Sequence, residues 1–333
     1  MIPDLPTIET LTRKAFSIST GQALAAEEII KGGSGRRFYR VTKPSQSWSV
    51  VAMHFTLERP ENARFETATR FLASNGVNVP SVLVDMPKSH LLWLTDLGTL
   101  DLWSSRNEHW EEHRAPLYRS ALTQVFQIHS IPTTGNPQLP SLEPPFDAAL
   151  YQWEQDYFFA EFATRFSACP ESAIEKLSRS GEAGALVDEL SQLPRQLIHR
   201  DFQSQNIMIL DNDAWLIDYQ GMRLGRAEYD IASLLFDPYV SVSETQREEL
   251  ILFYYSLKQK NGQHDSLEEF RHRLFLCATQ RLMQALGAYG FLGIGKGKTS
   301  FLQHIPSAVA HLHEVAVKYG TFPGLAPVLS MGK

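Results

Sequence analysis

Leu197-Ile198-His199-Arg200-Asp201-Phe202-Gln203-Ser204-Gln205-Asn206-Ile207-Met208-Ile209-Leu210, followed shortly by Trp215-Leu216-Ile217-Asp218-Tyr219-Gln220, is the stretch from which the rest of the chain is read. An HRDxxxxN pattern runs directly into an apolar strand, and a second apolar strand ends on an acid. Phosphoryl transfer needs this set: a carboxylate to orient an acceptor hydroxyl, and oxygen donors that hold Mg²⁺ against nucleotide phosphates. Asp201 is the expected base. Asn206 and Asp218 are the expected metal ligands, because Mg²⁺ prefers hard oxygen donors and completes its shell with phosphate and water. Two carboxylates brought beside a polyphosphate repel by roughly several kcal/mol at an intermediate dielectric, so the reading carries metal dependence with it. The alternative is a polar loop between buried strands whose Asp and Asn satisfy turn backbone; it does not account for the three features standing in register.

Upstream, Lys31-Gly32-Gly33-Ser34-Gly35-Arg36-Arg37-Phe38-Tyr39-Arg40-Val41 reads as a glycine-rich turn feeding a strand. Glycines let backbone N–H groups approach phosphate without a Cβ in the way, and Arg36 or Arg37 adds charge there. Phe38 stands where GxGxxG has its third glycine, so the turn alone reads equally as an ordinary hairpin turn. Taken with the downstream motif, Gly33, Ser34, Gly35, Arg36 and Arg37 are expected to cover nucleotide phosphates. A second glycine-rich segment, Gly293 to Ser300, imitates a phosphate-binding loop, but Leu292 occupies the place of its first glycine and no apolar β run precedes it. It is read as a basic interhelical loop, where Lys296 and Lys298 would suit an anionic group only secondarily.

The periodicity of the chain changes near Gly98. Before it, β-rich runs (FYRV, SWSVVAMHF, SVLV, LLWLTDL) surround one helical stretch from Asn62 to Asn75 that stops on Gly76. After it, amphipathic patterns predict helices at Ala115 to His129, Phe146 to Phe166, Glu182 to Leu190, Tyr229 to Leu235, Thr245 to Asn261, Leu267 to Tyr289 and Ile305 to Tyr319. The Pro-rich run from Ile131 to Pro145 predicts a long connection. The expected organisation is an α+β chain of two lobes: residues 1–97 as a nucleotide-binding lobe, residues 98–333 as a catalytic and substrate-binding lobe. A crevice between unlike lobes is a favoured place for a ligand.

The 333 residues are 43% hydrophobic and 11% aromatic, enough for a large core, which excludes a disordered or fibrous chain. A formal charge of −6 denies the chain the broad positive field of a nucleic-acid or anionic-membrane binder. Cys169 and Cys277 stand far apart without metal-ligand spacing, so neither a disulfide framework nor a zinc site is expected. With no signal-peptide pattern and no membrane-length apolar run, a cytoplasmic protein acting on a small molecule is expected.

These residues resemble the aminoglycoside phosphotransferase and choline kinase branch of the protein-kinase-like fold over nearly the whole chain. Within that branch the likeness is greatest to bacterial anomeric kinases of N-acetylmuramate and N-acetylglucosamine. It is carried by SGRRFYRV, VAMHF, LTDLG, FDAALYQWE, IHRDFQSQN, LIDYQGMRLGRAEYDIASL and RLMQALGAYGFLGIGKGKTSFL. The resemblance implies an antiparallel-sheet N-lobe, a mainly helical C-lobe, and ATP with Mg²⁺ as cofactors. It makes Thr95, Asp96 and Leu97 the hinge that meets adenine and Asp230 a brace for the catalytic loop. Asp147 and Glu154, seven positions apart on one helical face, become candidates for contacts to a sugar, with Trp153 and Tyr157 flanking its ring. The same residues read equally as a solvated carboxylate face and a core aromatic pair.

The chain departs from that pattern where protein kinases carry the strand lysine of VAIK. Val51-Ala52-Met53-His54 leaves His54 at that place, so no Lys–Glu clamp is available, and Arg37 or another base must hold the phosphates. Gln205 and Gly221 stand where the resemblance leads to Arg and Asp. Two alternatives stay open: an aminoglycoside, choline or homoserine-type kinase of the same fold, and a nucleotide-binding pseudokinase module.

Overall fold

The computed structural model describes residues 2–30 and 35–331. The β-branched and aromatic runs before Gly98 form one five-stranded antiparallel sheet: β1 (Ala25–Ile29), β2 (Arg37–Lys43), β3 (Trp48–His54), β4 (Val82–Met86) and β5 (Leu91–Thr95), in the order β1-β2-β3-β5-β4. Alternation decides which face each side chain takes. Tyr39, Val41, Val50, Ala52 and Trp93 are buried on one side, beneath α1 (Leu5–Ala15), where Trp93 Nε1 donates to Thr12 Oγ1 at 2.9 Å. Met53, Leu92 and Leu94 point the other way, into the main core with Phe65 and Leu72. Those last two belong to α2 (Phe65–Ser74), which follows a short 3-10 turn and ends at Asn75 before Gly76 at φ +78°. The registers put Arg37 opposite His54, and Val50 opposite Thr95.

After the sheet the chain is mainly helical, in the order α3 (Ala115–Ser130), α4 (Ala148–Phe158), α5 (Thr164–Phe166), α6 (Glu171–Ser178), α7 (Gly181–Gln192), α8 (Ala227–Leu235), α9 (Glu244–Lys260), α10 (Leu267–Gly290) and α11 (Ile305–His313). α10, 24 residues long, is apolar on most of its circumference, as befits a helix enclosed by others, and it packs against α4, α8 and α11. Small residues set how closely it approaches α4's continuation. A Cβ on Gly290 would sit 2.1 Å from the carbonyl oxygen of Glu161, so the crossing exists only because that position carries no side chain.

Two small antiparallel pairs carry the motif. β6 (Gln196–Ile198) pairs with β9 (Arg223–Gly225), and β7 (Ile207–Leu210) pairs with β8 (Asp213–Leu216) through a tight turn in which Asp211 and Asn212 both take positive φ. The Pro-rich connection has no regular structure. It lies beside β9, with Glu143 N–H donating to the Met222 carbonyl (3.0 Å) and Phe146 N–H to that of Leu224 (2.8 Å).

Two expected helices are broken up. The Phe146 to Phe166 pattern begins only at Ala148, capped by Asp147, and passes through a wide π-type turn at Phe159–Ala163 before α5. The Ile305 to Tyr319 pattern likewise gives α11 and then a wide turn, Glu314–Lys318. Between α10 and α11, Gly293 to Gly295 end a wide turn (Phe291–Gly295), residues 296–298 are irregular and exposed, and a 3-10 turn begins at Thr299, so the phosphate-loop imitation is an interhelical connection. No helix among the described residues is long and apolar enough to cross a membrane.

Candidate active site

The HRDxxxxN loop is the connection between β6 and β7; two hydrogen bonds stitch it to the loop that carries Asp218, and a third closes it on itself. His199 Nε2 lies 3.0 Å from the Ile217 carbonyl, Ile217 N–H donates to the Asn206 carbonyl (3.0 Å), and the Asn206 amide donates to the Asp201 carbonyl (2.9 Å). Arg200 (φ +78°) and Asp218 (φ +66°) both hold left-handed backbone, strain that a non-glycine residue keeps only where the surroundings impose it. Through this stitching the structure brings Asp201, Asn206 and Asp218 to neighbouring positions.

Two buried acids impose the loop's shape. Asp230, from α8, accepts from the N–H of His199 (2.7 Å) and of Arg200 (2.8 Å), and its Oδ2 lies 3.0 Å from His129 Nε2 on α3. The brace expected at Asp230 is therefore in place. The other end is held by Asp237, which sequence reasoning passed over: it accepts from Ser204 N–H (2.9 Å), the Ser204 hydroxyl (2.6 Å) and Tyr239 N–H (3.0 Å). The only available signal was an acid just past the end of α8.

Asp201 is about a third exposed (34%), with Arg200 Nη1 3.1 Å from one oxygen and Arg281 Nη2 3.8 Å from the other. Burial alone would push its carboxyl up. Arg200, Arg281 and His199 more than offset this and hold it below the usual carboxylate range, so it is ionised at neutral pH and able to accept a proton or hydrogen bond. Asn206 keeps its amide oxygen without a hydrogen bond among the described residues, and so does Oδ2 of Asp218. Among the described residues no group of three His, Cys, Asp or Glu side chains is arranged to hold a metal. Two oxygen donors with phosphate and water completing the shell suit a hard cation such as Mg²⁺.

The glycine-rich turn is described from Gly35 onward; Gly33 and Ser34 lie outside the described residues. Gly35 takes φ +71°, a conformation that favours glycine. The two arginines after it diverge. Arg37 is half exposed and pairs with Glu28 on β1 (3.2 Å), away from the motif. Arg36 is 5% exposed and crosses to the other lobe, where its guanidinium bonds Asp218 Oδ1 and, at 2.7 Å, Gln220 Oε1. His54 is buried with Nδ1 unpartnered, and desolvation lowers its pKa, so it stays neutral and is no substitute for a lysine. Nor does α2 offer the acid of a clamp, since Glu66 is engaged by Arg70. α2 is joined to the Asp218 loop through Tyr219 instead, which stacks on Phe65 (5.5 Å, 22°) and shares a 2.7 Å hydrogen bond with Thr69.

At the crossing between lobes, Asp96 is held by Arg40 (2.7 Å) and by Gly98 N–H (2.9 Å), while Thr95 Oγ1 accepts from Ser81 N–H. The peptide groups of Leu97 make no hydrogen bond among the described residues. Asp147 and Glu154 do not share an exposed face. Asp147 caps α4 by accepting from Leu150 N–H (2.9 Å), whereas Glu154 is 1% exposed, accepting from the Tyr229 hydroxyl (3.0 Å) and Gln280 (3.1 Å). Burial pushes the Glu154 carboxyl up despite Gln280 and the field of Arg200. Trp153, 53% exposed, stacks on Tyr157 (5.2 Å, 13°) rather than entering the core.

The phosphotransferase enzyme family profile (APH) matches residues 26–270. The N-acetylmuramate/N-acetylglucosamine kinase of Pseudomonas putida is 26% identical over 291 residues, covering 85% of this chain and 80% of the relative. Among solved structures, a choline/ethanolamine kinase family protein from Mesorhizobium loti superposes with TM-score 0.62 at 16% identity, covering 97% of this chain and 99% of the other. The ADP-bound aminoglycoside phosphotransferase APH(2'')-Ib superposes with TM-score 0.60 at 13% identity, covering 94% and 99%. The chain belongs to the phosphotransferase enzyme family, has the protein-kinase-like fold, and is a small-molecule kinase.

Proposed function

We propose that this kinase transfers the γ-phosphoryl group of ATP, bound with Mg²⁺, to the anomeric hydroxyl of an amino sugar, N-acetylmuramate or N-acetylglucosamine, in the cytoplasm. The observation that carries the acceptor class is the charge around Asp201. Arg200 and Arg281 flank it, and Arg223 follows on β9, its pKa lowered by burial and then by Arg200. Nε of Arg223 is buried without a hydrogen bond, and its guanidinium lies over the ring of Phe146 at 5.2 Å. A polycationic aminoglycoside needs carboxylates to receive its ammonium groups. The carboxylates near these arginines are already taken up: Glu154 by Tyr229 and Gln280, Asp237 by Ser204 and Tyr239, Asp218 by Arg36, and Glu143 by Arg64 at 2.6 Å, which leaves Asp201 itself. Guanidiniums in that setting favour a neutral or anionic sugar, and the similarity to the N-acetylmuramate/N-acetylglucosamine kinase of Pseudomonas putida points the same way.

In this reading Asp201 accepts the hydrogen bond of the acceptor hydroxyl, aligns it in line with the γ-phosphorus and takes its proton as the new P–O bond forms and the bond from phosphorus to the β,γ-bridging oxygen breaks, ADP leaving with that electron pair. Asn206 and Asp218 hold the cation, which supplies charge neutralisation to the phosphates when bound. Gly35 and Arg36, with Gly33 and Ser34 before them, close over the phosphates, and the Leu97 peptide meets adenine between Asp96 and Gly98, beyond Thr95. Arg37, turned to Glu28, is left on the rim. The exposed Trp153 face and the Asp147 cap are the edge over which a sugar would enter. Rate enhancement comes from positioning and electrostatics rather than covalent chemistry.

The test is a panel of acceptors with γ-labelled ATP: N-acetylmuramate, N-acetylglucosamine, choline, homoserine and a polycationic aminoglycoside. The amino sugars are expected to exceed the others in kcat/KM by at least about 10²-fold, the scale set by placing or misplacing one charged group. Labelling confined to polycationic acceptors defeats the proposal.

A further inference from the structure

The cation missing from β3 has a counterpart elsewhere in the fold. Arg36 is the last residue of the glycine-rich turn before β2, yet its guanidinium is buried against Asp218 and Gln220 across the lobe boundary. Gln220 Nε2 donates to the same Asp218 oxygen at 2.8 Å, so Oδ1 is fully engaged and Oδ2 is the oxygen left over. Arg37 points to β1 and His54 is neutral, so neither takes the lysine's part.

We infer that Arg36 is an exchangeable counter-ion. Without nucleotide it neutralises Asp218; when a metal–nucleotide complex arrives, the cation takes over Asp218 and the displaced guanidinium, a few ångströms away, turns onto the phosphates. The inference rests on the nucleotide and metal reading above and goes beyond it in assigning Arg36 two alternating partners. The physics is that of two cations and one carboxylate. A divalent ion alone must either face the guanidinium across Asp218 or break the Arg36–Asp218 ion pair while bringing no new anion to replace the one it takes. A nucleotide polyphosphate supplies that anion, and guanidinium binds phosphate bidentately. Metal and nucleotide therefore bind as a unit, and metal alone binds poorly.

Replacing Arg36 moves the two affinities in opposite directions, which a residue serving only the fold does not do. In Arg36→Gln, Mn²⁺ binding without nucleotide, read as loss of the free-ion paramagnetic resonance signal, is expected to tighten about tenfold, while Mg·ADP affinity by calorimetry falls about tenfold. The gain in Mn²⁺ binding disappears in Arg36→Gln combined with Asp218→Asn. Arg36→Lys, which keeps the charge and loses the bidentate fork, moves both affinities in the same directions as the Gln variant but less far. Affinities that fall together, or only one that moves, overturn the exchange. Should the Gln variant not fold, the wild-type protein still decides: the Arg36 Nε–H resonance, identified by its loss in Arg36→Lys, shifts on adding Mg·ADP and not on adding Mg²⁺ alone. A resonance indifferent to Mg·ADP overturns the proposal. Neither readout contains an acceptor, so failure here leaves the amino-sugar assignment standing, and failure of the acceptor panel leaves this one standing.

Discussion

Glu154 is a carboxyl buried within the helical lobe beside Tyr229 and Gln280 and in the field of Arg200 and Arg281, and its titration has a definite sign. Burial raises its folded-state pKa above the ordinary glutamate value of 4.5. Between those two values the folded chain binds more protons than the unfolded one, so stability is greatest on the acid side and declines as pH rises from 4.5 through the folded pKa, then levels. Glu154→Gln keeps the hydrogen bonds to Tyr229 and Gln280 within reach and removes the proton; thermal midpoints of this variant are expected to lose that decline relative to wild type. A wild-type slope that survives the substitution would place the titration elsewhere. How such single residues read from sequence differs with their neighbours. The closeness of Asp201 and Asn206 is legible because both lie in the short loop between β6 and β7, and that of Asp218 because it follows β8, the partner of β7; the place of Asp230, on α8, comes from the family resemblance. Glu154 is not legible: helical periodicity turns it only about 100° from Trp153 on α4, and the packing of α8 and α10 decides which of the two is enclosed. The divergence of Arg36 and Arg37 is illegible too, since strand alternation sends them to opposite faces without saying which face meets Asp218.

At the scale of elements, α8 acts on chemistry it does not touch. Its Asp230 bonds two successive backbone N–H groups of the catalytic loop and fixes the left-handed Arg200 between them. Asp230→Asn presents an amide N–H to donors that need an acceptor, so urea unfolding is expected to show a loss of about 2–4 kcal/mol, the penalty for unsatisfied buried groups near charge. Turnover should fall more than KM rises, because the loop then fails to hold Asp201 in register. An Asn variant with wild-type stability and turnover would remove α8 from the account. Most helices stand where periodicity puts them, α3, α9 and α10 within a residue or two of their expected ends. Their apolar stripes are long, and Ser243 and Ser266 begin α9 and α10 with capping boxes. α1, β1 and α6 escape sequence reading because each is short and contributes few core residues, Ile8 and Thr12 from α1 and Ile174 from α6. The wide turns that break α4 and α11 leave hydrophobic spacing almost unchanged and are equally silent.

For the whole molecule, two unlike cores meet where the chemistry is proposed. The sheet's outer face closes under α1, and its inner face is continuous with the helical core, so the glycine-rich turn is carried on a rigid body that reaches Asp218 through Arg36. The change of periodicity near Gly98 made this architecture legible, whereas the contacts across it depend on long side chains whose partners are far away in sequence. The claim on which the rest depends is that Asp201 directs a hydroxyl of an amino sugar at the γ-phosphoryl group. It is tested most directly by ³¹P NMR of wild type and Asp201→Ala incubated with Mg·ATP and N-acetylmuramate, with Mg·ADP affinity measured in parallel. The account predicts a sugar-phosphate resonance coupled to the anomeric proton in wild type, formed about 10²–10⁴-fold more slowly by the variant while its nucleotide affinity is unchanged. Undiminished formation by Asp201→Ala, or no sugar phosphate from a wild-type protein that phosphorylates another acceptor, would contradict it.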